Sequence, residues 1–348
     1  MARHKGGTYR IHRTRPRQPA DKARPRSWFR TAAGVVLRDL EVHDLPSRLQ
    51  EPGGFLWLDL DNASPSQLSL LEQVFHLHPL VIEDAASPNG RVKAEEFPGY
   101  LFTVVRAVRY VSETEDPHDI ETFNLACVLG RNFLVTIHGV HSPGVETVWE
   151  RVQRSPDLLE RGAARTMHAV LDASVDAYFP IVDQLDDFLD SIEERVFVKF
   201  DDAVRGDIYS VKRLVLQLKR HLAPQREVFS LLTNRPCALV PPEVQIYFRD
   251  IYDHVIRLNE SLDTYRDLVS STMEAYLTQV SNRLNVVTKG LTVVATLSVP
   301  FVVVSGMWGM NFAHIPLSDW PQGFWLMFVI QLGLGGGLVW LLRRRGLL

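Results

Sequence analysis

The stretch LTVVATLSVPFVVVSGMWGMN, residues 291–311, decides the architecture of this chain. Its first 20 residues, up to Met310, carry no charged side chain, and a second uncharged run of 19 residues extends from Phe324 to Leu342. A helix of either length crosses about 30 Å of hydrocarbon. Burial in the core of a soluble protein is the alternative interpretation, but two such runs with basic flanks favour two membrane-spanning helices.

The distribution of basic residues predicts how these two helices cross the membrane. Arg283 and Lys289 precede the first run and Arg343–Arg345 follow the second, whereas the connecting loop 311–323 has no Lys or Arg and one acid, Asp319. Because Lys and Arg are enriched in cytoplasmic flanks, we expect both termini in the cytoplasm and the loop outside. The expected location is the plasma (inner) membrane of a prokaryote, with the lipid bilayer as a partner.

The remainder of the 348-residue chain has a more polar composition, and the mean hydropathy of the whole is -0.04. Residues 1–30 contain ten Lys or Arg against one acid, Asp21, which predicts a disordered basic tail. This tail is interpreted either as a solvated extension or as an arm that rests on anionic lipid. A nucleic-acid partner is not expected. Cys127 and Cys237 match no metal-ligand spacing and are interpreted as thiols in a reducing compartment.

Two cytoplasmic segments precede the apolar runs. Residues 31–160 predict a small α/β domain, with a strand in 53–60, a helix capped by Ser64 and Pro65, and a hairpin in 123–139 that turns at 130–132. Residues 161–242 predict a helical hairpin in which an acidic helix pairs with a basic one. The turn of that hairpin is expected at 200–207.

One very long helix is predicted from Glu243 to Met310. Apolar residues recur there at steps of three and four, and no proline occurs between Pro242 and Pro300. Such a helix is on the order of 100 Å long and needs copies of itself to cover its apolar stripe. The predicted fold is therefore an α+β cytoplasmic domain, a stalk helix continuous with the first membrane helix (290–310), an outer loop (311–323), a second membrane helix (324–342) and a basic cytoplasmic end (343–348).

The first membrane helix carries a stripe that is suited to a pore. At 100° per residue its members fall on one face, and they are Asn285, Thr288, Thr292, Val299 and Gly306. A polar stripe in a membrane faces protein or water, so it either joins helices or lines a pore with one helix from each subunit. At the outer end, the Asn311 amide can hydrogen-bond the water shell of Mg²⁺, which is reluctant to dehydrate. A ring of carboxylates would hold the ion more tightly and slow its release.

The tripeptide Gly309–Met310–Asn311, at the outer end of the first of two C-terminal spans, resembles the motif of the CorA family of magnesium channels. Further segments that resemble this family are 82–97, 218–228 and 247–289. The resemblance implies a funnel-shaped homopentamer that conducts Mg²⁺ and has Gly309, Met310 and Asn311 as its selectivity filter. Mg²⁺ would be both the substrate and a regulatory ligand, with no other cofactor, and cobalt or nickel are additional candidate substrates.

The resemblance also implies roles for individual residues. Asn285 would form a ring near the cytoplasmic end of the pore, Leu291 and Val299 would form hydrophobic constrictions, and Val302 would line the pore where relatives carry a polar residue. Regulatory divalent ions would bind between subunits, joining acids of the α/β domain to acids of the stalk; the candidates here are Glu83, Asp84, Asp250 and Asp253. The acids that usually follow the motif are replaced by Ala313, His314 and Leu317.

Three other interpretations are considered. The nearest is a zinc transporter of the related ZntB branch, although Met310 favours magnesium and the histidines His76, His78, His138 and His141 are interpreted as surface or capping residues. A non-conducting, membrane-anchored helical scaffold is the second, and it predicts that Asn285 and Asn311 are individually dispensable. An enzyme is the third, but the sequence has no Gly-rich phosphate loop, HExxH or nucleophile elbow.

Overall fold

The computed structural model describes residues 11–12, 25–88, 90–111, 119–198, 203–310 and 320–346. The chain forms two compact units, one up to Met273 and the other from Glu274. The first unit contains a mixed β-sheet covered by helices on both faces, and the second contains the two apolar helical segments.

The sheet has the strand order β3-β2-β4-β8-β7-β6-β5, and β1 pairs in parallel with the start of β7. The strands are β1 (Ile11–His12), β2 (Arg26–Arg30), β3 (Val36–Arg38), β4 (Phe55–Asp61), β5 (Lys93–Phe97), β6 (Tyr100–Tyr110), β7 (Ile120–Gly130) and β8 (Phe133–His138). β4 and β8 are parallel, whereas β5 to β8 form an antiparallel meander. The predicted strand in 53–60 and the hairpin that turns after Gly130 are confirmed.

Successive side chains of β4 point to opposite faces of the sheet, so that they pack in two separate hydrophobic cores. Leu56, Leu58 and Leu60 point to one face, where they pack with residues of helices α1 (Leu45–Leu49), α2 (Pro65–Gln73) and α3 (Pro79–Ala86). Trp57 points to the other face and meets Trp149 of α4 (Pro143–Arg154), with ring centroids 5.0 Å apart. Ser64 caps α2 in a reciprocal capping box with Gln67, and Pro65 is the first helical residue, as predicted.

Five further helices surround or follow this sheet: α5 (Asp157–Glu160), α6 (Ala163–Asp176), α7 (Phe179–Val198), α8 (Ala203–Leu222) and α9 (Gln225–Asn234). Helices α7 and α8 form the predicted acidic and basic hairpin, and Arg195 pairs with Asp207 across it at 2.7 Å. The predicted turn at 200–207 is wrong at its C-terminal side, because α8 already begins at Ala203.

The long helix is confirmed as a single element, α10 (Pro242–Trp308), of 67 residues. The second apolar run forms α11 (Gly323–Arg344), of 22 residues. Both helices are long and apolar enough to span a membrane, with a mean hydropathy of 1.9 over their best windows. Residues 311–319 of the predicted outer loop lie outside the described residues.

The prediction of a disordered tail over residues 1–30 is wrong for two segments. Arg26–Arg30 form β2, which pairs with both β3 and β4 inside the sheet, and Ile11–His12 form β1. The local composition is basic, but Trp28 and Phe29 provide apolar side chains that are buried in the domain. Residues 1–10 and 13–24 of the tail lie outside the described residues.

A buried charge network joins three strands to α4. The carboxylate of Asp59 accepts hydrogen bonds from Arg26 at 2.6 Å and from Thr136 at 2.6 Å, and it lies 3.1 Å from His138 Nε2. Arg26 also bonds Glu146 of α4 at 2.8 Å. The interpretation of His138 as a surface or capping residue is therefore wrong, since its side chain is buried.

The network shifts both central pKa values strongly. Burial alone would raise the pKa of Asp59, but the charges of His138 and Arg26 outweigh it and hold that pKa at about 2. Burial would lower the pKa of His138, but Asp59 raises it to about 10. The imidazolium and the carboxylate therefore stay charged across the physiological pH range.

Asp59→Asn should destabilise the protein by about 3 kcal/mol, because it removes the buried anion between His138 and Arg26 and leaves them only Asp61 and Glu146, respectively. The contribution of the Asp59 carboxylate should be present above its unfolded pKa of about 4 and disappear as the pH falls towards about 2. Thermal unfolding of the full chain in detergent at pH 7 measures the loss. The control is Glu150→Gln, which removes an exposed ion pair with Arg154 and should change little. Equal losses in the two variants would contradict a special role for the buried network.

Candidate functional site

Residues predicted to line a pore are exposed on α10: residues 281–290 are exposed on every side of the helix, and from Leu291 onward the predicted pore residues lie on its exposed side. Every one of them is solvent-exposed in the single chain, and they are Asn285, Thr288, Leu291, Thr292, Val299, Val302 and Gly306. Half-buried residues define a different stripe at steps of three and four: Val293, Thr296, Leu297, Pro300, Phe301, Val304 and Trp308. From Val293 onward, one side of α10 therefore packs against the rest of the chain, and the other side is accessible to lipid, water or further subunits.

The packed stripe meets α11 at a glycine. A Cβ built on Gly335 would lie 2.6 Å from the ring of Phe301, so only glycine leaves room for this ring. Just after the C-terminal end of α11, the carbonyl oxygen of Gly346 accepts a hydrogen bond from Lys289 Nζ at 2.9 Å. These two contacts connect α10 and α11 within the second unit, where small residues are the usual means of close approach in membranes.

The predicted selectivity filter lies at the end of α10. The helix ends at Trp308, and one further turn is closed by the Gly309 amide, which donates to the Ser305 carbonyl at 3.0 Å. Met310 is exposed at the end of this turn. Asn311 lies outside the described residues, and its role as the filter amide stays a prediction.

The four predicted regulatory acids have different surroundings. Glu83 and Asp253 are exposed. Asp84 on α3 pairs with Lys93 Nζ at 2.7 Å, and Lys93 also pairs with Glu95 at 2.8 Å. Within the described part of the chain, Asp250 is the one of these four acids that belongs to a group of potential ligands.

That group consists of Asp172 on α6 and of Asp250 and His254 on α10. One potential ligand atom from each side chain lies within 4.8 Å of the other two. Asp250 and His254 are four residues apart on one helix, which places them on the same face. His254 Nδ1 also lies 3.1 Å from Asp176, one turn beyond Asp172 on α6.

The chemistry of these donors fits a divalent cation. Asp172 Oδ1 is buried and has no hydrogen-bond partner among the described residues, which is costly for a carboxylate oxygen unless a cation or a water satisfies it. Carboxylate oxygens are preferred by Mg²⁺, and an added imidazole suits transition metals such as Co²⁺ and Zn²⁺. The group therefore has one orphaned oxygen, a second carboxylate and a nitrogen donor around one small volume.

The surroundings of Asp172 in this group raise the pKa of its carboxyl. Burial, and after it the neighbouring charge of Asp176, raises that pKa from 3.8 to about 6, while His254 opposes the shift. Like charges held close together favour protonation of one carboxylate in the absence of a metal ion. A divalent cation bound between the carboxylates would offset this repulsion while both remain ionised.

Sequence reasoning found Asp250 but missed Asp172, Asp176 and His254. The signal that was present is the spacing of Asp172 and Asp176 on α6 and of Asp250 and His254 on α10, each pair four residues apart. Spacing alone does not reveal that α6 lies against α10. That information comes only from the tertiary structure.

Residues 52–344 match the family model described as CorA-like Mg²⁺ transporter protein. The chain belongs to this family. The match takes in the sheet domain from β4 onward and the whole of α10 and α11, and members of the CorA family are transporters rather than enzymes. The protein is thus a CorA-like divalent cation transporter.

Individual relatives agree with this assignment. The cobalt/magnesium transport protein CorA of Thermotoga maritima is 31% identical to this chain over 260 residues, which covers 74% of this chain and 73% of that protein. The zinc transport protein ZntB of Pectobacterium carotovorum is 26% identical over 173 residues, covering 47% of this chain and 52% of that protein. The solved structure of the CorA magnesium transporter from Methanocaldococcus jannaschii has the same fold, with a TM-score of 0.81, 21% identity, and coverage of 94% of this chain and 99% of that one.

Asp172→Asn should stabilise the divalent-free protein above pH 6. The raised pKa of Asp172 means that the folded state binds its proton more tightly than the unfolded chain does, so folding is penalised as the pH rises from about 4 to about 6. In EDTA, the melting temperature of the natural sequence should therefore fall relative to that of the variant over this interval. The two melting temperatures should converge near pH 4. A variant that is less stable at pH 7.5 in EDTA would contradict the proposed repulsion.

Proposed function

We propose that this CorA-family protein is a channel for Mg²⁺ influx, assembled as a homopentamer in the plasma membrane of a prokaryote. The observation that carries the proposal is the family match over 52–344, since it includes both apolar helices and the GMN tripeptide. A charged ion cannot cross hydrocarbon unaided, so a transporter built this way needs a polar path through the two-helix segment.

The exposed side of α10 supplies the residues for such a path. Asn285, Thr288 and Thr292 are polar, exposed and within one stripe, as a pore lined by one helix from each subunit requires. Leu291 and Val299 add apolar positions on the same exposed side, where a narrow pore would lose its water. The lipid-facing and subunit-facing surfaces would then be provided by the remaining exposed apolar residues of α10 and α11.

The outer end of the pore suits a hydrated ion. Gly309 and Met310 close the last turn of α10, and Asn311 follows them directly. Five neutral amide side chains in a ring would bind the water shell of Mg²⁺ without a fixed negative charge to trap the ion. The membrane potential supplies the driving force, about 4.6 kcal/mol for a divalent ion per 100 mV, so that transport needs no nucleotide.

Cytoplasmic Mg²⁺ would close the channel by binding to the acidic groups of the sheet domain and stalk. In this proposal Asp250 is the central ligand, because it already lies near Asp172 and His254 within one chain. Glu83, Asp84 and Asp253 would complete sites between neighbouring subunits. A ligand that binds the closed arrangement better than the open one shifts the population towards closure.

Zinc transport is the second candidate, and one observation favours it. His254 contributes an imidazole nitrogen to the ligand group, and nitrogen donors suit Zn²⁺ better than Mg²⁺. The similarity to ZntB points in the same direction, although it covers a smaller part of this chain than the similarity to CorA. Co²⁺ and Ni²⁺ belong in the same comparison, since an imidazole suits them as well.

Asn311→Ala should abolish most Mg²⁺ uptake into liposomes that contain the purified full chain, because it removes the amide that binds the hydrated ion. A Mg²⁺-sensitive dye inside the vesicles and an imposed inside-negative potential measure the uptake, with Zn²⁺ and Co²⁺ offered in parallel. Leu332→Ala, in α11, serves as a control for general damage to the apolar helices. No flux of any of these ions from the natural sequence, with a proton gradient also tried for Zn²⁺, would leave the non-conducting scaffold as the better description.

Asp250→Asn should raise the concentration of internal Mg²⁺ that halves the flux by about tenfold, since one of the principal ligands loses its charge. Asp253→Asn should have a smaller effect, because Asp253 is exposed and lies outside the ligand group. The same liposomes, loaded with graded concentrations of Mg²⁺, give both values. If Asp253→Asn has the larger effect, the assignment of Asp250 as the central ligand is wrong.

A further inference from the structure

Two helical faces meet in a series of three contacts around the proposed regulatory site. On α6 the participating side chains are spaced by three, four and four residues, and on α10 by three and four, so each set lies on one face of its helix. The side chains are Arg165, His168, Asp172 and Asp176 on α6, and Tyr247, Asp250 and His254 on α10.

The first contact lies one turn before the carboxylates. The guanidinium carbon of Arg165 is 3.3 Å from the centroid of the Tyr247 ring, a close cation–π arrangement. Arg165 Nη1 is 2.9 Å from His168 Nδ1, and His168 Nε2 is 3.0 Å from the backbone oxygen of Tyr247. His168 also packs edge-on against Phe248, with ring centroids 5.3 Å apart.

Hydrogen-bond chemistry fixes the state of His168. Arginine only donates and a carbonyl oxygen only accepts, so His168 accepts from Arg165 at Nδ1 and donates to Tyr247 from Nε2. The imidazole is therefore neutral and serves as a bridge between the Arg165 side chain and the backbone of α10.

The third contact lies one turn after the carboxylates, where His254 Nδ1 is 3.1 Å from Asp176. Between the two flanking contacts stand Asp172 and Asp250, whose ligand oxygens lie within 4.8 Å of each other. Two carboxylates at this separation repel each other when no cation is bound. The contacts on either side are attractive, and they oppose that repulsion.

We propose that Arg165, His168 and Tyr247 are positioning residues that keep Asp172 and Asp250 within ligand distance when no divalent ion is bound. The inference rests on the regulatory site of the proposed function and deepens it. If the two helices already hold the carboxylates close together, ion binding does not have to supply the free energy for bringing α6 and α10 together, and the ion binds more tightly. The ion then enters a group whose ligand atoms already lie within 4.8 Å of one another.

A role through charge alone predicts the opposite result. The positive charge of Arg165 repels a cation, so its removal by itself would strengthen the binding of Mg²⁺. Loss of positioning would weaken binding, because the two carboxylates would move apart. Variants that keep the charge of residue 165 but disturb its packing therefore separate the two roles, because a role through charge alone predicts no weakening of Mg²⁺ binding in them.

The test is a Mg²⁺ titration of the thermal stability of the full chain in detergent, starting from EDTA-treated protein. Tyr247→Leu removes the ring on which Arg165 rests and should raise the half-saturating Mg²⁺ concentration by about tenfold, the usual cost of losing a partner outside the ligand shell. Tyr247→Phe keeps the ring and should restore a midpoint close to that of the natural sequence. Arg165→Lys keeps the charge but loses the planar contact, and it should also weaken binding.

The outcomes distinguish this inference from the proposed function. If Mg²⁺ raises the melting temperature of the natural sequence but not that of Asp172→Asn, the regulatory site stands. In that case the positioning role is wrong if the half-saturating Mg²⁺ concentration is unchanged in Tyr247→Leu and Arg165→Lys. It is also wrong if these variants lose the same stability at every Mg²⁺ concentration, and in both cases the regulatory site itself still stands. If the natural sequence and Asp172→Asn respond identically to Mg²⁺, the site itself is wrong and the inference fails with it. Should Tyr247→Leu not fold, Arg165→Lys decides the question.

Discussion

Continuity of the backbone hydrogen bonds in α10 is the constraint on which the rest of the molecule depends. One helix from Pro242 to Trp308 carries the acids of the candidate regulatory site, the exposed polar stripe and the approach to the GMN tripeptide. Pro300, which lacks a backbone donor, lies inside this helix without ending it. Residues with quite different chemistry are thus ordered along a single element, and their spacing is set by 1.5 Å of rise per residue.

The sheet domain achieves its stability in a different way from the apolar helices. Its two cores are separated by alternation along β4, with leucines on one side and Trp57 on the other. On the Trp57 side the domain also buries Asp59 and His138, which are acceptable there only because each satisfies the other. The second unit relies instead on close approach, as the ring of Phe301 over Gly335 shows.

Much of this architecture could be predicted from the sequence because the signals are local. The capping box at Ser64, the turn after Gly130 and the absence of helix breakers between Pro242 and Pro300 each act within a few residues of the chain. That Arg26–Arg30 form strand β2 could not be predicted, since they lie in a basic segment and their partner strand β4 is distant in the sequence. His138 was misinterpreted for the same reason, because its partner Asp59 is 79 residues away.

The residues of the candidate site differ in the same way: some could be found from the sequence, and others only from contacts between distant parts of the chain. Asp250 was reached through a resemblance of motifs, whereas Asp172 and His254 became visible only when α6 and α10 were seen side by side. The GMN tripeptide was also found through its resemblance to the CorA motif, whereas the stripe that begins at Asn285 follows from helical periodicity in the sequence. In the proposed homopentamer, the geometry of the filter depends on how several chains meet.

The ion pair between Asp84 and Lys93 has a consequence for how cation binding is measured. Lys93 lies 2.7 Å from the Asp84 carboxylate, so that carboxylate is already partly neutralised by a cation attached to the same chain. The pair is exposed enough for dissolved salt to weaken it. At the proposed regulatory site, an added ion would compete with Lys93 for the Asp84 carboxylate, so titrations at low and at physiological ionic strength should give different apparent affinities.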